Sequence, residues 1–479
     1  MIAMTPTTPT TPNTPAAKME PSIFKAYDIR GVVDQTLTEP TVLRIGNALG
    51  RMMLMEGQPR CVVGRDGRLS GERLAKTLTE GLQAAGVDVI DIGMVPTPVV
   101  YFATHLLGTG TGVAITGSHN PPEYNGLKMM VAGVTLSGDA ITALRTSLEQ
   151  GLVDQHLASV SRRGGWSARD VRSEYEGRIV SDVSLSRPMR IAVDAGNGVA
   201  GELGPAVLAR LGCEVTPLYC EIDGTFPNHH PDPADPHNLT ELIRVVQEQD
   251  LELGLAFDGD GDRLGVVTRS GRVIWPDRQL MLYAADVLKH RPGEEIIFDV
   301  KCSRLLARWI TAHGGQPLMW RTGHSLIKAK LKETKAPLAG EMSGHIFFND
   351  RWYGFDDGIY TAARLLEILS RSDDPSGTLE ALPDAISTPE LQIRTAEGEH
   401  HGVVARLIEH GLFPSSIGRS TLDGIRVEYD DGFGLARPSN TTPVVVLRFE
   451  ADTQEGLRRI ESEFRSSLLA AMPSAQLPF

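Results

Sequence analysis

Residues 59–93, PRCVVGRDGRLSGERLAKTLTEGLQAAGVDVIDIG, decide how this 479-residue chain is built. An apolar strand at Cys61, Val62 and Val63 runs into a Gly/Asp turn, GRDGR, and from there into a helix. Leu74, Leu78 and Leu82 fall at i, i+4 and i+8 and mark the buried face of that helix. Gly86 ends it, and a second strand occupies residues 87–92. The same plan returns at 189–219. There Ile191, Ala192 and Val193 lead into DAGNG, a helix with Leu203, Val207 and Leu211, then Gly212 and a strand over 213–218. It returns again at 295–320, with a strand at 296–300, a turn at Lys301, Cys302 and Ser303, a helix carrying Leu306 and Ile310, and a strand ending in Trp320. Three strand–helix–strand units predict three α/β domains with mixed or mostly parallel sheets. More than about 70 residues separate successive units, which argues against one large doubly wound sheet.

The last hundred residues follow another pattern. Strands are expected at 387–394, 424–429 and 444–450, with helices at 403–409 and 453–470. On the last helix Leu457, Ile460, Phe464 and Leu468 share one face, so a smaller α+β domain closes the chain. The expected division is a Thr/Pro-rich disordered tail at 1–20, then domains at 21–170, 171–272, 273–385 and 386–479.

Charge and cysteine usage exclude several classes. With 60 acidic against 47 basic residues the net charge is −13 and there is no long basic run, so a nucleic-acid partner is not expected. No apolar run reaches membrane-spanning length and no signal core opens the chain. Cys61, Cys213, Cys220 and Cys302 fit neither a zinc spacing nor a disulfide framework and are expected as free, buried thiols in a cytoplasmic protein.

Four short motifs carry the chemistry. In TGSHNPP, residues 116–122, the strand ending at Val113, Ala114 and Ile115 is aimed at Ser118, and two prolines stop it from continuing. Gly117 is read as supplying the unusual backbone conformation. A serine so placed, with His119 beside it and Lys128 shortly after, is a candidate nucleophile or phosphate carrier. The hydrolase elbow G-x-S-x-G is absent, because Thr116 and Asn120 stand where it needs glycine.

DGDGDR, residues 258–263, lies between expected strands Leu253–Phe257 and Leu264–Thr268 and brings Asp258, Asp260 and Asp262 to one point. Unit charges about 4 Å apart repel by roughly 4 kcal/mol at an effective dielectric of about 20. Three such carboxylates call for a cation, and Mg²⁺ is the natural one. A calcium EF-hand is excluded, since Arg263 and Arg269 replace its required Gly and Glu.

GEMSGH, residues 340–345, offers Glu341, Ser343 and His345 for sugar hydroxyls or proton transfer. RPSNTT, residues 437–442, offers Arg437, Ser439, Asn440, Thr441 and backbone amides for a phosphate dianion. GTGTG at 108–112 has the wrong spacing for a dinucleotide fingerprint.

Together these motifs resemble the α-D-phosphohexomutases, in the bacterial phosphomannomutase/phosphoglucomutase branch, over residues 23–479. The resemblance implies four domains around a central cleft and a phosphoserine at Ser118. It implies one Mg²⁺ held by Asp258, Asp260, Asp262 and the phosphoserine oxygen, with Glu341, Ser343 and His345 on sugar hydroxyls and the 437–442 loop on phosphate. Pro438 stands where members often carry another small residue. Tyr27, Lys301, Thr322, Gly323 and His324 match positions that bind substrate, and His119, Lys128, Arg30, Arg263 and His345 match the catalytic surroundings of the serine. The base that takes the hydroxyl proton is left open among His119, Lys128, Arg30 and His345.

The implied reaction converts hexose 1-phosphate to hexose 6-phosphate through a hexose 1,6-bisphosphate, which also serves as activator. Mannose and glucose phosphates are both expected substrates, because the two sugars differ only at the 2-hydroxyl. The alternatives are a phosphoglucosamine mutase, which typically has Gln at Met342 and Ala at Gly117, a Mg²⁺-dependent sugar phosphatase, and a non-catalytic sugar-phosphate sensor. A monomer is expected, with a dimer as the alternative.

Overall fold

The computed structural model describes residues 19–396, 398–440 and 442–479. Of the Thr/Pro-rich stretch expected to be a disordered tail, positions 1–18 lie outside the described residues, as does Thr441. Met19 is described, and it packs against the core of the first sheet.

Among the described residues the strands form four sheets. The first contains Tyr124–Val131, Gly112–Ile115, Arg60–Arg65 and Asp88–Met94 side by side in that order. The second repeats this arrangement with Leu264–Thr268, Leu253–Phe257, Arg190–Asp194 and Glu214–Leu218. The third repeats it with Ile346–Phe348, Leu338–Gly340, Glu295–Asp299 and Gln316–Trp320. In every case the last three strands are mutually parallel and the first is antiparallel to its neighbour. The expected helices lie at Gly71–Ala84, Ala200–Arg210 and Arg304–Ala312, each crossing over between two parallel strands.

The topology adds what the periodicity alone does not reveal. TGSHNPP, DGDGDR and GEMSGH each join the second strand of this order to its antiparallel neighbour, so the three motifs are equivalent turns of three repeats. Each lies beside the loop that leaves the central parallel strand, at the carboxyl ends of the strands, where open α/β sheets bind their ligands.

The fourth sheet is antiparallel throughout and carries the helices Glu399–His410 and Gln454–Ala471. Two details differ from the expectation. The segment 387–394 is broken into Ile386–Ser387 and Leu391–Arg394, with Pro389 between them, and both pieces pair with Val444–Ala451. Gly432–Pro438 is a strand that its glycines conceal. A Cβ at Gly434 would stand 2.3 Å from the Phe464 ring, so close packing of the last helix demands a residue without one.

The helix Thr97–Leu106, from the first domain, is buried at eight successive residues, Thr97 to Thr104. Val99, Val100, Tyr101 and Phe102 enter one apolar cluster with Tyr175, Phe257, Trp352, Phe355 and Leu366. That cluster draws on all of the first three sheets, whereas the fourth domain has a core of its own around Val427, Leu447, Phe449, Ile460 and Phe464. Cys61, Cys213 and Cys302 are buried and Cys220 is half-buried, all as free thiols. No helix among the described residues is long and apolar enough to cross a membrane.

Candidate active site

Ser118 sits immediately beyond the strand Gly112–Ile115 with φ +48°, in the left-handed region. The unusual backbone therefore falls on the serine itself and not, as the sequence reads, on Gly117. What Gly117 supplies is room: a Cβ there would stand 2.3 Å from Cζ of Arg68, so an alanine would require the guanidinium to move. The turn is held from within. Ser118 N donates to Thr116 Oγ1 at 2.7 Å, and Asp66 Oδ2 accepts from Thr116 Oγ1 at 2.8 Å and from Gly117 N at 3.1 Å. Ser118 Oγ lies 3.2 Å from His119 Nδ1 and donates to Asp258 Oδ2 at 3.1 Å, which brings the first motif onto the second.

Asp258, Asp260 and Asp262 are fully buried, and one carboxylate oxygen from each lies within 4.8 Å of the others. Asp258 Oδ1 accepts from Asp262 N at 3.1 Å and Arg263 N at 3.2 Å, curling the loop around its first carboxylate. Thr97 secures the second: its N–H donates to Asp260 O at 3.0 Å and its hydroxyl to Asp260 Oδ2 at 2.6 Å. Lys128 Nζ bridges Asp260 Oδ2 at 2.7 Å and Asp262 Oδ2 at 2.6 Å. Burial, and then the neighbouring Asp262 and Asp260, push the Asp258 carboxyl well above its ordinary range. Burial also works against the charge on Lys128, but Asp260 and Asp262 outweigh it and hold the ammonium protonated. Asp260 Oδ1 and Asp262 Oδ1 are buried with no hydrogen-bond partner among the described residues. Converging buried carboxylate oxygens beside a hydroxyl, with Asp260 Oδ1 left unpartnered, are a donor set that suits a hard divalent cation.

The third motif meets the second through His345. Its Nδ1 lies 2.8 Å from Ser343 Oγ and 3.3 Å from Glu341 Oε2, and its Nε2 lies 3.4 Å from Asp262 Oδ1. Burial opposes its charge, but Asp262 and Glu341 prevail over the opposing Arg263 and raise it to about 9. Arg263 Nε lies 3.2 Å from His345 Nε2. Glu341 Oε1 also accepts from Gly323 N at 2.6 Å. Tyr27 meets His324 edge-on at 5.3 Å between centroids, and His324 stacks on His345 at 5.6 Å. Burial, with Lys328 and Lys128, holds His324 neutral, and burial with Arg263 does the same for His119. Arg30 bonds Asp28 at 2.6 Å and also Asn120 of the serine turn. Of the two histidines among the candidate bases, burial thus favours the neutral form of His119, while the acidic neighbours of His345 favour its charged form.

The fourth motif is tied to the third domain both through Asp423 and directly through Asn440. Asp423 Oδ2 accepts from Arg437 Nε at 3.0 Å and from Thr322 N at 3.0 Å. Asn440 Nδ2 reaches Thr322 O at 3.5 Å, Ser439 Oγ lies 3.0 Å from Thr442 Oγ1, and Lys301 Nζ donates to Glu390 Oε2 at 3.0 Å. Ser118, His119, Lys128, the three aspartates, Arg263 and His345 thus form one connected cluster that continues through Glu341 and Gly323 and through His324 to Tyr27. Lys301, Arg437, Ser439 and Asn440 form a second group, joined to the first through Thr322.

Asp66, Arg68, Thr97 and Asp423 escape a reading of the four motifs. For Asp66 and Arg68 the signal is present in GRDGR, the turn after the central parallel strand of the first repeat.

Four family models match the chain in succession: phosphoglucomutase/phosphomannomutase alpha/beta/alpha domain I at residues 21–152, domain II at 173–271, domain III at 275–386 and the C-terminal domain at 379–467. A phosphomannomutase/phosphoglucomutase of Pseudomonas aeruginosa is 53% identical over 97% of this chain and 99% of its own. A phosphoglucomutase of Neisseria meningitidis is 52% identical over 94% of this chain and 97% of its own. The crystal structure of a phosphoglucomutase/phosphomannomutase family protein from Burkholderia thailandensis superposes with a TM-score of 0.90 at 54% identity, covering 96% of this chain and all of that one.

Proposed function

The chain belongs to the phosphoglucomutase/phosphomannomutase family, and from that premise we propose that it interconverts the 1- and 6-phosphates of glucose and mannose. The observation that carries this reading is the meeting of the Ser118 hydroxyl, the buried aspartate triad and the His345–Glu341 pair.

In the proposed cycle Ser118 carries a phosphoryl group. The sugar's free 6- or 1-hydroxyl attacks that phosphorus, the bond to Ser118 Oγ breaks, and the hydroxyl proton passes to a base in the site. The resulting 1,6-bisphosphate turns over, and its other phosphate returns to Ser118 by the same exchange in reverse. Added hexose 1,6-bisphosphate activates by phosphorylating a bare serine. The three aspartates and the Ser118 oxygen would hold Mg²⁺, which when bound supplies positive charge to the transferring phosphoryl group.

The chain's own residues then have separable tasks. Buried Lys128 and half-buried Arg263 hold positive charge beside the aspartates. Glu341 and Ser343 bind the 3- and 4-hydroxyls, which glucose and mannose share, so both sugars are accepted. Arg437, Ser439, Asn440 and Thr441, with Lys301, grip the phosphate that is not reacting, and this distant binding orients the sugar. Tyr27, Thr322, Gly323 and His324 line the path between the two groups, and the four domains enclose it as a cleft. The free thiols fit a cytoplasmic setting, and a monomer suffices because one chain supplies every group.

³¹P NMR tests the reading. The protein with Mg²⁺, a trace of glucose 1,6-bisphosphate and either mannose 1-phosphate or glucose 1-phosphate should produce 6-phosphate signals from both sugars, and Ser118→Ala should produce neither. Free inorganic phosphate in place of the 6-phosphates would make it a phosphatase, and full turnover by Ser118→Ala would remove the serine from the mechanism.

A further inference from the structure

Arg68, in the GRDGR turn, is completely enclosed: none of its side chain reaches solvent. A guanidinium has five N–H donors in a fixed plane, and here all five are used. Nε donates to Asp66 Oδ2 at 3.2 Å. One terminal nitrogen donates to Pro121 O at 2.5 Å and Tyr124 O at 2.9 Å, the other to Ser118 O at 2.8 Å and Asn120 O at 2.5 Å. Four carbonyls of the turn that carries the candidate nucleophile therefore converge on one side chain. Asp66, the carboxylate that anchors this arginine, is also the one that accepts from Thr116 and Gly117 at the start of the turn.

The second domain covers the arrangement. Phe226 lies against the guanidinium face, 5.1 Å from Cζ to the ring centroid. Phe226 adopts φ +49°, as costly for a phenylalanine as +48° is for Ser118. Two left-handed non-glycine residues, one from each domain, thus touch the same arginine. A Cβ at Gly224 would stand 2.7 Å from Arg68 Cα, so the 222–226 segment is pressed directly onto the turn.

We propose that Arg68 is the positioning residue of the nucleophile: it fixes the 116–124 turn in the conformation that directs Ser118 Oγ at the aspartate loop, and Phe226 of the second domain holds it in place. Arg68 contacts neither sugar nor phosphorus in this assignment. It acts through backbone carbonyls, so its effect falls on the transfer step and leaves sugar binding alone. Lysine is no substitute, because a single ammonium cannot serve four carbonyls spread along a curved turn. The assignment rests on the mutase reading above.

The test compares wild type, Arg68→Lys and Phe226→Asn, the last chosen because asparagine tolerates the left-handed backbone while removing the ring. Steady-state kcat and KM for glucose 1-phosphate are measured with Mg²⁺ and glucose 1,6-bisphosphate, alongside rapid-quench transfer from ³²P-labelled enzyme and a thermal melt of each variant. Arg68→Lys should lose about 100-fold or more in kcat and in the quench rate with KM within about threefold, as expected of a displaced reacting atom. Phe226→Asn should lose about three- to tenfold in kcat, again with KM preserved and the fold intact. Arg68→Lys turning over within about threefold of wild type, or losing only in KM, overturns the assignment. Should Arg68→Lys not fold, unchanged kcat in Phe226→Asn overturns it equally. A wild type that releases inorganic phosphate or does not turn over refutes the mutase reading instead.

Discussion

Lys128 pairs with two of the three carboxylates that would hold a cation, so a bound cation would have to share them with it. It reaches Asp260 and Asp262 from a strand of a different domain, and all three side chains are almost wholly buried. Removing one partner of such a pair leaves charge buried without compensation, at a cost of about 3–5 kcal/mol. Lys128→Gln should therefore melt earlier than wild type without added metal, and Mg²⁺ should raise its melting temperature by more than it raises that of wild type. Isothermal titration should show tighter Mg²⁺ binding in the variant. An equal or smaller thermal shift would mean that the ammonium and the metal do not compete for the same oxygens.

The hairpin turn is the element that organises the chemistry. Serine, aspartates and the Glu/His pair occupy one topological position in three successive repeats, and RPSNTT joins two antiparallel strands of the last sheet. The helix Gly358–Leu369, which follows the third repeat, is built on Asp357 as its N-cap: the carboxylate accepts from Tyr360 N at 2.9 Å and from the Tyr175 hydroxyl at 2.8 Å. Burial outweighs both bonds and pushes this carboxyl up to about 7. A folded-state value above the unfolded one means that the folded protein binds more protons between about pH 4 and about pH 7. The contribution of Asp357 is then fully present below about pH 4 and is lost as pH rises through about 7, to the extent of about 4 kcal/mol for a shift of roughly three units. Asp357→Asn keeps the cap and removes the titration, so its stability relative to wild type should climb across that range in urea denaturation at fixed pH values. A constant difference would remove Asp357 from the pH dependence.

At this level much of the fold is legible in the chain, because leucine spacing and glycine stops mark a crossover helix between parallel strands wherever they occur. Gly432–Pro438 is not, since its glycines answer to Phe464 and Glu450, which only the folded chain brings near. Likewise Ser118 announces itself by its neighbours in sequence, while the GRDGR turn marks Arg68 only as a loop residue, and the turn it acts on lies some fifty residues away. Which turns face each other is a property of the assembled sheets.

The whole molecule divides three to one. Apolar residues of the first three sheets share a continuous core, whereas the fourth domain packs around its own and joins the third through buried polar contacts and one small apolar cluster of Val300 with Phe433 and Leu435. Arg426 donates to Cys302 O at 2.7 Å, and Ser303 Oγ donates to Glu450 Oε1 at 3.0 Å. A seam that is mostly polar, with only a small apolar cluster, yields before a large shared apolar core does. Scanning calorimetry should resolve two transitions, the smaller carrying roughly a fifth of the enthalpy, as its share of the residues implies. Truncation near residue 385 should abolish the smaller and leave the larger. A single transition that disappears with the truncation would show that the seam is as cooperative as the core.

The buried helix Thr97–Leu106 acquires a further meaning when the chain is followed as it is made. Its partners Trp352 and Phe355 are translated some 250 residues after it, a delay of tens of seconds at ribosomal speed. Until then Tyr101 lacks Phe355 and Phe102 lacks Trp352, so one face of the helix stays only partly covered by the residues already made. A nascent chain stalled after the first domain should therefore be a client of hydrophobic-surface chaperones, and one stalled well beyond Phe355 should not.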